Sequence, residues 1–540
     1  MGMKWWNNKR SMALLGGIAV LGSAVAGCTG GDPKPGADGA APAKKPVITV
    51  SAYDRGQVPQ EEGTIEKNRW TEWINEHSPV EVKWVAIPRN ESVEKLNALF
   101  AAGDAPDLVF EYSAQFRNDL YVQKQIMPLD ELIEKHSTEY KKLMQQYPAL
   151  KKLGTKPDGK LYEVGRAPGL QTNHVLFIRN DWLKKLKLDV PKTTEDLYKV
   201  AKAFAENDPD GNGKRDTFGM NISFIGEYTL DHMFQNQHWF VNKDGVVEHA
   251  WEQAREATAF RKRLFEEGIV DKDFLTDKNG QKAKQDWING KLGMYAANVG
   301  LQDFPTFEAF MKNNPTAEPI PIPLPASSFG QFSPILNVPF QMTAVVNAKA
   351  KNPEAVIRFI DFLVSEPTAK MLNLGQEGVH YKLNANGCPQ AIDPEKNRKE
   401  VDYFAANQML SPVLFGGKCN HDLKYAQYDP AKPIEAAFLN AIKLAREAYL
   451  SKDRPMSSLT HVEWWPALPN DLVTIRANSL QQVSDTLVKA VVSGGYTVEQ
   501  AVRDAKSAWE KGGGTKVDEW LKAWHAENKG KAMLTEDMYK

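Results

Sequence analysis

Cysteine is scarce, with three residues in a chain of 540. No CxxC pair or His-rich spacing accompanies them, which excludes the common zinc frameworks. Neither sign of charge is in excess, with 67 Lys and Arg against 68 Asp and Glu. A nucleic-acid partner would want a basic face, and this balance argues against one. No fixed-period repeat occurs, which excludes a solenoid or a repeat-built adhesion stalk. Long hydrophobic runs are missing too. Only residues 12–26 stand out, short of the ~20 apolar residues of a spanning helix. The motifs G-x-S-x-G, H-E-x-x-H and a phosphate loop are absent.

What is there begins with Lys4, Lys9 and Arg10, the apolar stretch 12–26, and small residues up to Cys28. This is the layout of an export signal. Val25-Ala26-Gly27-Cys28 resembles the bacterial lipobox, in which the Cys is acylated and becomes the mature N-terminus. Residues 1–27 are therefore read as a signal peptide and Cys28 as a lipid anchor to the extracellular face of the cell membrane. Each buried CH₂ of an acyl chain such as palmitate contributes about 0.8 kcal/mol to such anchoring. Residues 28–46, rich in Gly, Pro, Ala and charge, read as a flexible tether that cannot bury a core. Removing three basic residues with the leader leaves the acids in excess by four. Cys388 and Cys419 remain in an exported chain, where pairs usually oxidise. They form either one disulfide or two separate buried thiols.

The mature chain exceeds the size at which a single core stops growing, so two lobes are expected. Residues 47–51 read as a first strand, followed by a helix near 69–77 and a strand at 80–86. A helix over 92–102 carries Val93, Leu96, Leu99 and Phe100 on one face, with Gly103 as its C-cap. A buried strand follows at 106–110. This alternation predicts an α/β lobe with a largely parallel sheet. Ligands bind beyond the carboxyl ends of such strands, which makes Asp54, Arg55, Glu111 and Tyr112 cleft candidates. Asp158-Gly159 marks a hairpin. Thr193 caps a helix with Leu197, Val200, Ala201 and Phe204 inward. Residues 290–297 read as a strand leading to a loop at Asn298. A helix starting at Asn352-Pro353 buries Val356, Phe359, Ile360 and Leu363. The boundaries are 47–165 for the first lobe, 166–335 for the second and 336–415 for a return to the first. Residues 416–540 form a C-terminal helical region completing both.

Leu99-Phe100-Ala101-Ala102-Gly103-Asp104-Ala105-Pro106-Asp107-Leu108-Val109 resembles a signature of the extracellular solute-binding proteins of ABC importers. Ile178-Arg179-Asn180-Asp181-Trp182-Leu183, Asn352-Pro353-Glu354-Ala355 and Gly375-Gln376-Glu377-Gly378-Val379 resemble stretches of the large lipoproteins of that family in Gram-positive bacteria. The alginate-oligosaccharide-binding proteins belong to the same group. The resemblance runs over nearly all of residues 47–530. It implies a two-lobe periplasmic-binding-protein-like α/β fold with hinge strands and a central ligand cleft. It also implies a monomer that captures an oligosaccharide by hinge closure and delivers it to a membrane permease. The competing reading is an exported glycosidase or lyase. That would need two carboxylates at a set separation, and among 68 acids such a pair has no diagnostic force.

Asp208-Pro209-Asp210-Gly211-Asn212-Gly213-Lys214-Arg215-Asp216 matches the start of an EF-hand-type loop. Asp208, Asp210, Asn212, the Lys214 carbonyl and Asp216 are the expected ligands of a structural calcium ion. Gly219 stands where the bidentate Glu of an EF-hand belongs, so a helix-loop-helix hand is not expected. The alginate-binding relatives hold calcium in such a loop.

Fourteen tryptophans are about twice ordinary usage, and most read as core. Trp239 lies in the non-periodic run Phe234-Gln235-Asn236-Gln237-His238, which suits a loop. Trp464 and Trp465 are adjacent between Glu463 and Pro466, so both cannot enter one core from an extended segment. Tyr112, Trp239, Trp464 and Trp465 are the candidate sugar-stacking residues, assisted by Asp54, Arg55 and Asn298.

Overall fold

The structure, a computed structural model, describes residues 44–300, 303–405, 407–419 and 428–539. The leader, Cys28 and the tether up to residue 43 lie outside the described residues. Two main sheets are built from β1 (Val47–Asp54), β2 (Glu81–Pro88), β3 (Leu108–Phe110), β4 (Glu163–Arg166), β5 (His174–Arg179), β6 (Phe218–Met220), β7 (Leu292–Asn298), β8 (Pro319–Pro321) and β9 (Gln341–Val346).

The first sheet has the order β2-β1-β3-β9-β4. β1 runs parallel to β2 and β3, whereas β9 is antiparallel to β3 and β4. Ile48, Val50 and Ala52 of β1 are buried on one face and Ser51 and Tyr53 on the other. A strand covered on both faces reads as a continuous apolar run rather than an alternating one. The helix Ser92–Ala102 ends at Gly103, whose φ of 80° is left-handed. There Asp104 N–H donates to the Leu99 carbonyl at 2.9 Å, a glycine-terminated helix end. The helix Pro353–Val364 buries Val356, Phe359, Ile360 and Leu363 in this lobe.

The second sheet has the order β8-β5-β7-β6. The helix Thr194–Glu206, with a reciprocal cap between Thr193 and Asp196, lays Leu197, Val200, Ala201 and Phe204 into its core. Between the sheets the chain crosses twice, and the crossing segments pair as Gln171–Thr172 against Leu336–Asn337. The helix Pro433–Tyr449 joins the second core through Phe438, Ala441, Ile442 and Tyr449. The helices Asn470–Val492, Val498–Lys511 and Thr515–Glu527 gather a third apolar core around Trp509 and Trp239. Cys388 and Cys419 are joined in a disulfide. No described helix is long and apolar enough to cross a membrane.

Candidate functional site

The parallel register sets the ends of β1, β2 and β3 side by side, with Asp54 opposite Pro88. The residues just past those ends are Arg55, Arg89, Glu111 and Tyr112. They line a cavity of ≈ 780 Å³ together with Ser113 and Asn118 of the first lobe and Glu463, Trp465 and Arg476 of the C-terminal region. Tyr112 is half-buried. Its ring stacks on that of the buried Tyr53 at 5.8 Å, and its N–H donates to the Tyr53 hydroxyl. The Arg89 guanidinium lies 4.8 Å from the Tyr53 ring and 5.5 Å from the Tyr112 ring. Arg166 underpins Tyr112 from below. It is held by Gln341 Oε1 at 2.8 Å and the Gln408 carbonyl at 3.1 Å.

The opposite wall arrives from far along the chain. Trp464 points away from the cavity into the second core and donates its Nε1–H to the Phe340 carbonyl at 2.9 Å. Trp465 lines the cavity while packing against the third core, its ring 4.8 Å from the Arg476 guanidinium and 5.7 Å from the Trp239 ring. Glu463 Oε1 accepts from Gln341 Nε2 at 2.8 Å. Burial raises the Glu463 pKa and lowers that of Arg476.

Four buried polar atoms on this lining have no hydrogen-bond partner among the described residues: Glu111 Oε2, Glu463 Oε2, Trp465 Nε1 and Arg476 Nε. A folded protein leaves few such atoms, and each costs free energy unless a ligand or water satisfies it. Their convergence on one cavity, which Tyr112 and Trp465 also line, makes this the binding site the structure favours.

The structure brings Arg55, Glu111, Tyr112 and Trp465 together in this way. Asp54 stands at the rim, in a shallow neighbouring depression with Arg55 and Arg89, and accepts from Gly56 N–H. Two stacking candidates are corrected. Trp239 is 1% exposed. It opens a two-stranded ribbon, Trp239–Val241 with Val247–His249, and donates to Asp518 at 2.6 Å inside the third core. Trp464 is sealed in the second core, so neither ring offers a face to a ligand. Asn298 is the last residue of β7 rather than a loop residue, and lines a separate cavity of ≈ 170 Å³ in the second lobe.

Arg89, Glu463 and Arg476 were not among the candidates. Arg89 obeys the same strand-end rule as Arg55 and Tyr112 and was legible once β2 is extended to Pro88. On the second lobe, Phe224 and Tyr228 form an exposed aromatic pair 6.1 Å apart, with Tyr228 facing His174 at the start of β5.

His174, His232 and His461 are buried. Burial lowers His174 and His461 to about 4, and burial with the two neighbouring imidazoles lowers His232 to about 3. Unfolded histidine titrates near 6.5. As pH falls from about 6.5 towards 4, the unfolded chain takes up protons that the folded one refuses. The stabilisation is complete above pH 6.5 and is lost on the acid side. The melting temperature should therefore fall stepwise from pH 7.5 through 6 to 4.5; an unchanged value would contradict the neutral, buried state of these rings.

The geometry defines a two-lobed binding protein with a cleft at the strand ends. Residues 59–370 match the family of bacterial extracellular solute-binding proteins, and the chain belongs to that family. It is 27% identical over 538 residues to the polygalacturonan/rhamnogalacturonan-binding protein YtcQ of Bacillus subtilis, covering 96% of this chain and 98% of YtcQ. It is 30% identical over 263 residues to the fructooligosaccharide ABC transporter substrate-binding protein FusA of Streptococcus pneumoniae. That alignment spans 45% of this chain and 46% of FusA, about half of each. A solved FusA structure, an EF-hand mutant in complex with fructo-nystose, superimposes with a TM-score of 0.66 at 21% identity, covering 90% of this chain and 99% of that one. An HMO-binding, ABC-transporter-associated solute-binding protein of Bifidobacterium longum infantis gives a TM-score of 0.70 at 18% identity, covering 89% of this chain and 98% of that one. These likenesses show the shared two-lobe fold.

Proposed function

We propose that the protein is the lipid-anchored substrate-binding component of a carbohydrate ABC importer, a monomer that captures an oligosaccharide and hands it to the membrane permease. The observation that carries this reading is the cleft, where Tyr112 and Trp465 line the cavity beside four buried polar atoms without partners. A sugar ring matches both features. Its C–H face stacks on an aromatic ring, and its hydroxyls donate to Glu111 Oε2 and Glu463 Oε2 and accept from Trp465 Nε1–H and Arg476 Nε–H. The names of FusA and YtcQ also point to saccharides. Bending at the paired crossing segments 171–172 and 336–337 is the simplest hinge for closure. The anchor would be Cys28, with the folded body held outside the membrane on the 28–46 tether.

The test is a thermal-shift and tryptophan-emission screen against neutral and acidic oligosaccharides, with the products checked by chromatography. One saccharide is expected to raise the melting temperature and return intact. Binding by none would refute the reading, and cleavage would favour a glycosidase or lyase.

The 208–216 loop is the proposed site of a structural calcium ion. Its side-chain donors are oxygens gathered on one turn, as a hard cation needs. Asn212 Nδ2 donates to both Asp210 and Asp216, at 2.8 and 3.0 Å, while Asp208 accepts from the amides of 211, 212 and 213. Burial and the adjoining Asp208 raise the Asp210 pKa, a strain that a cation would relieve. The twelfth position cannot contribute, since a Cβ on Gly219 would lie 2.5 Å from the Ala201 carbonyl oxygen. Among the described residues no group of three or more His, Cys, Asp or Glu stands arranged as a metal cluster, so the ion would draw the carboxylates inward. Calcium at about 100-fold over its Kd would stabilise the fold by roughly 2.7 kcal/mol. Replacing Asp208 and Asp210 together with alanine should abolish the difference in melting temperature between calcium and chelator. Identical wild-type curves in both would remove calcium from the description.

A further inference from the structure

We infer that the second lobe carries a binding site of its own for one hydroxylated aromatic ring, a phenol, in the cavity of ≈ 170 Å³ at the ends of β6 and β7. This cavity shares no lining residue with the strand-end cleft of the first lobe, and the site goes beyond the saccharide reading without resting on it. β6 and β7 run parallel. Ser223 and Phe224 past the end of β6, and Asn298 and Val299 at the end of β7, line the cavity, the place where such strands present ligands. An apolar cavity of about 150 Å³ holds one benzene ring, so this one has the size for a single six-membered ring.

The walls are aromatic. Phe177, Trp287, Tyr295 and Phe307 are buried on the lining, and they hold one another. Trp287 stacks on Tyr295 at 5.2 Å and on Phe310 at 4.0 Å, and Phe177 lies 6.1 Å from both Trp287 and Phe307. Rings already locked in this way lose little freedom on receiving a further one. The free polar groups inside are few. Both amide atoms of Asn221 are spent on Ala296, at 2.8 and 3.3 Å, and the Ser223 hydroxyl donates to Asp277 at 2.9 Å. Asp303 stands at the N-cap of the helix Phe304–Asn313 and makes no capping bond, although that is the usual work of an Asp there. Its Oδ2 is buried and without a partner among the described residues. Burial pushes the Asp303 carboxyl up to about 6, with only the Gly300 backbone and Lys284 working against it. Burial and then the nearby Asp303 raise the Tyr295 phenol, so these two groups are neighbours on one lining.

A flat apolar ring with one hydroxyl satisfies such a lining. The ring fills the aromatic space, its O–H donates to Asp303 Oδ2, and its oxygen accepts from the Tyr295 hydroxyl. A sugar ring carries hydroxyls around its whole edge, and each one buried without a partner costs free energy. An aromatic carboxylate would set its charge against Asp303, and a cationic ring would meet Lys284 on the same lining. The mouth is built for a ring as well. Phe224 lines the cavity and is exposed, beside the exposed Tyr228. Its φ of 49° and ψ of −113° are a conformation that a bulky residue rarely adopts. Gly280 makes room for it, since a Cβ there would lie 2.9 Å from Phe224 Cδ1. Backbone strain of this kind persists where the surroundings impose it, and it gathers at ligand sites. A phenol reaches the protein either free or as the aryl group of a glycoside, and the two sources are separable by experiment.

The experiment is calorimetric titration of the full mature chain, with saturation-transfer NMR on the ligand. The probes are phenol, the β-glucoside of hydroquinone, cyclohexanol and methyl β-glucoside. Phenol or the aryl glucoside is expected to bind at a single site, about 10-fold or more tightly than cyclohexanol, whose puckered ring and weaker O–H donor suit the site less. Tighter binding of the aryl glucoside would mean a ring carried on a sugar, and tighter binding of phenol a free one; either supports the site. Asp303→Asn should weaken the bound probe about 10-fold, the difference between a charge-assisted and a neutral hydrogen bond. Thr306→Phe, which sets a ring into the cavity from a half-buried position on its lining, should abolish binding, with circular dichroism confirming the fold of both variants. Several results would overturn the inference and leave the proposed function standing: no binding of phenol together with an aryl glucoside held no better than methyl β-glucoside, cyclohexanol bound as tightly as phenol, or binding that Asp303→Asn or Thr306→Phe leaves unchanged.

Discussion

Replacing Arg117 with methionine is expected to lower the unfolding free energy by about 3–5 kcal/mol, the usual result of leaving one buried charge without its partner. Arg117 is 1% exposed. Its Nε–H donates to Glu163 Oε2 at 2.9 Å and its Nη1–H to the Glu111 carbonyl at 2.6 Å. Lys156 reaches the other oxygen of Glu163 and also Asn118 Oδ1. Burial alone would push the Glu163 carboxyl up, but Arg117 and then Lys156 outweigh it and hold the group below the usual carboxylate range. Glu163 therefore stabilises the fold above its unfolded pKa, and that contribution is lost as pH falls through the folded value. Without Arg117 the carboxylate keeps Lys156 alone, and the backbone of Glu111 loses the donor that sets it at the cleft wall. Guanidinium unfolding curves measure the loss. Adding both Glu163→Leu and Lys156→Met to Arg117→Met should recover part of it, because a missing ion network costs less than a widowed charge, and Lys156 would otherwise be left as one. A single variant within about 1 kcal/mol of wild type would mean the pair is not the buried anchor its geometry describes, since that loss would be no more than an exposed pair gives.

The first lobe was legible because its signals are local. A helix from Ser92 to Ala102 follows from its apolar stripe and from Gly103, and strands covered on both faces announce themselves as apolar runs. The strand-end rule led to Arg55, Glu111 and Tyr112. It passed over Arg89 because β2 looks finished at Ala86, whereas pairing with β1 carries it on to Pro88. That extension is a property of the neighbouring strand. Trp239 misled for the same reason: its surroundings have no apolar period, yet Asp518, 279 positions later, folds over and bonds it. Adjacent Trp464 and Trp465 do join different cores, although Trp464 closes a 3-10 turn, Val462–Trp464, rather than lying in an extended segment. Which of them meets the cleft is decided by Phe340 and Arg476. The C-terminal wall was illegible because Glu463 and Arg476 sit in segments whose own pattern carries no cleft signal; only the tertiary packing delivers them.

Opening the Cys388–Cys419 bond is expected to cost about 3–4 kcal/mol, from the unfolded-chain entropy released when a loop of this size is no longer closed. The two residues are 31 positions apart. Both are buried, so the reduced thiols gain no compensating hydration in the folded state. The loop they close includes Gln408 and Met409, and these carry the effect to the site. The Gln408 carbonyl accepts from Arg166, and the Met409 carbonyl accepts from Thr343 of β9. Arg166 in turn lies beneath the Tyr112 ring, 5.9 Å from its centroid. A chain lacking the bond should thus lose stability first and then cleft order. The Cys388→Ser, Cys419→Ser double variant should unfold at lower denaturant than oxidised wild type, and dithiothreitol should bring wild type to the same midpoint. Protection from hydrogen exchange at the Asn397 and Asn407 amides, which donate to the Asp393 and Phe404 carbonyls within this loop, should fall before that of β1. Equal midpoints for the oxidised and reduced chains would show that the segment is held by its packing against Arg166 and Thr343 alone.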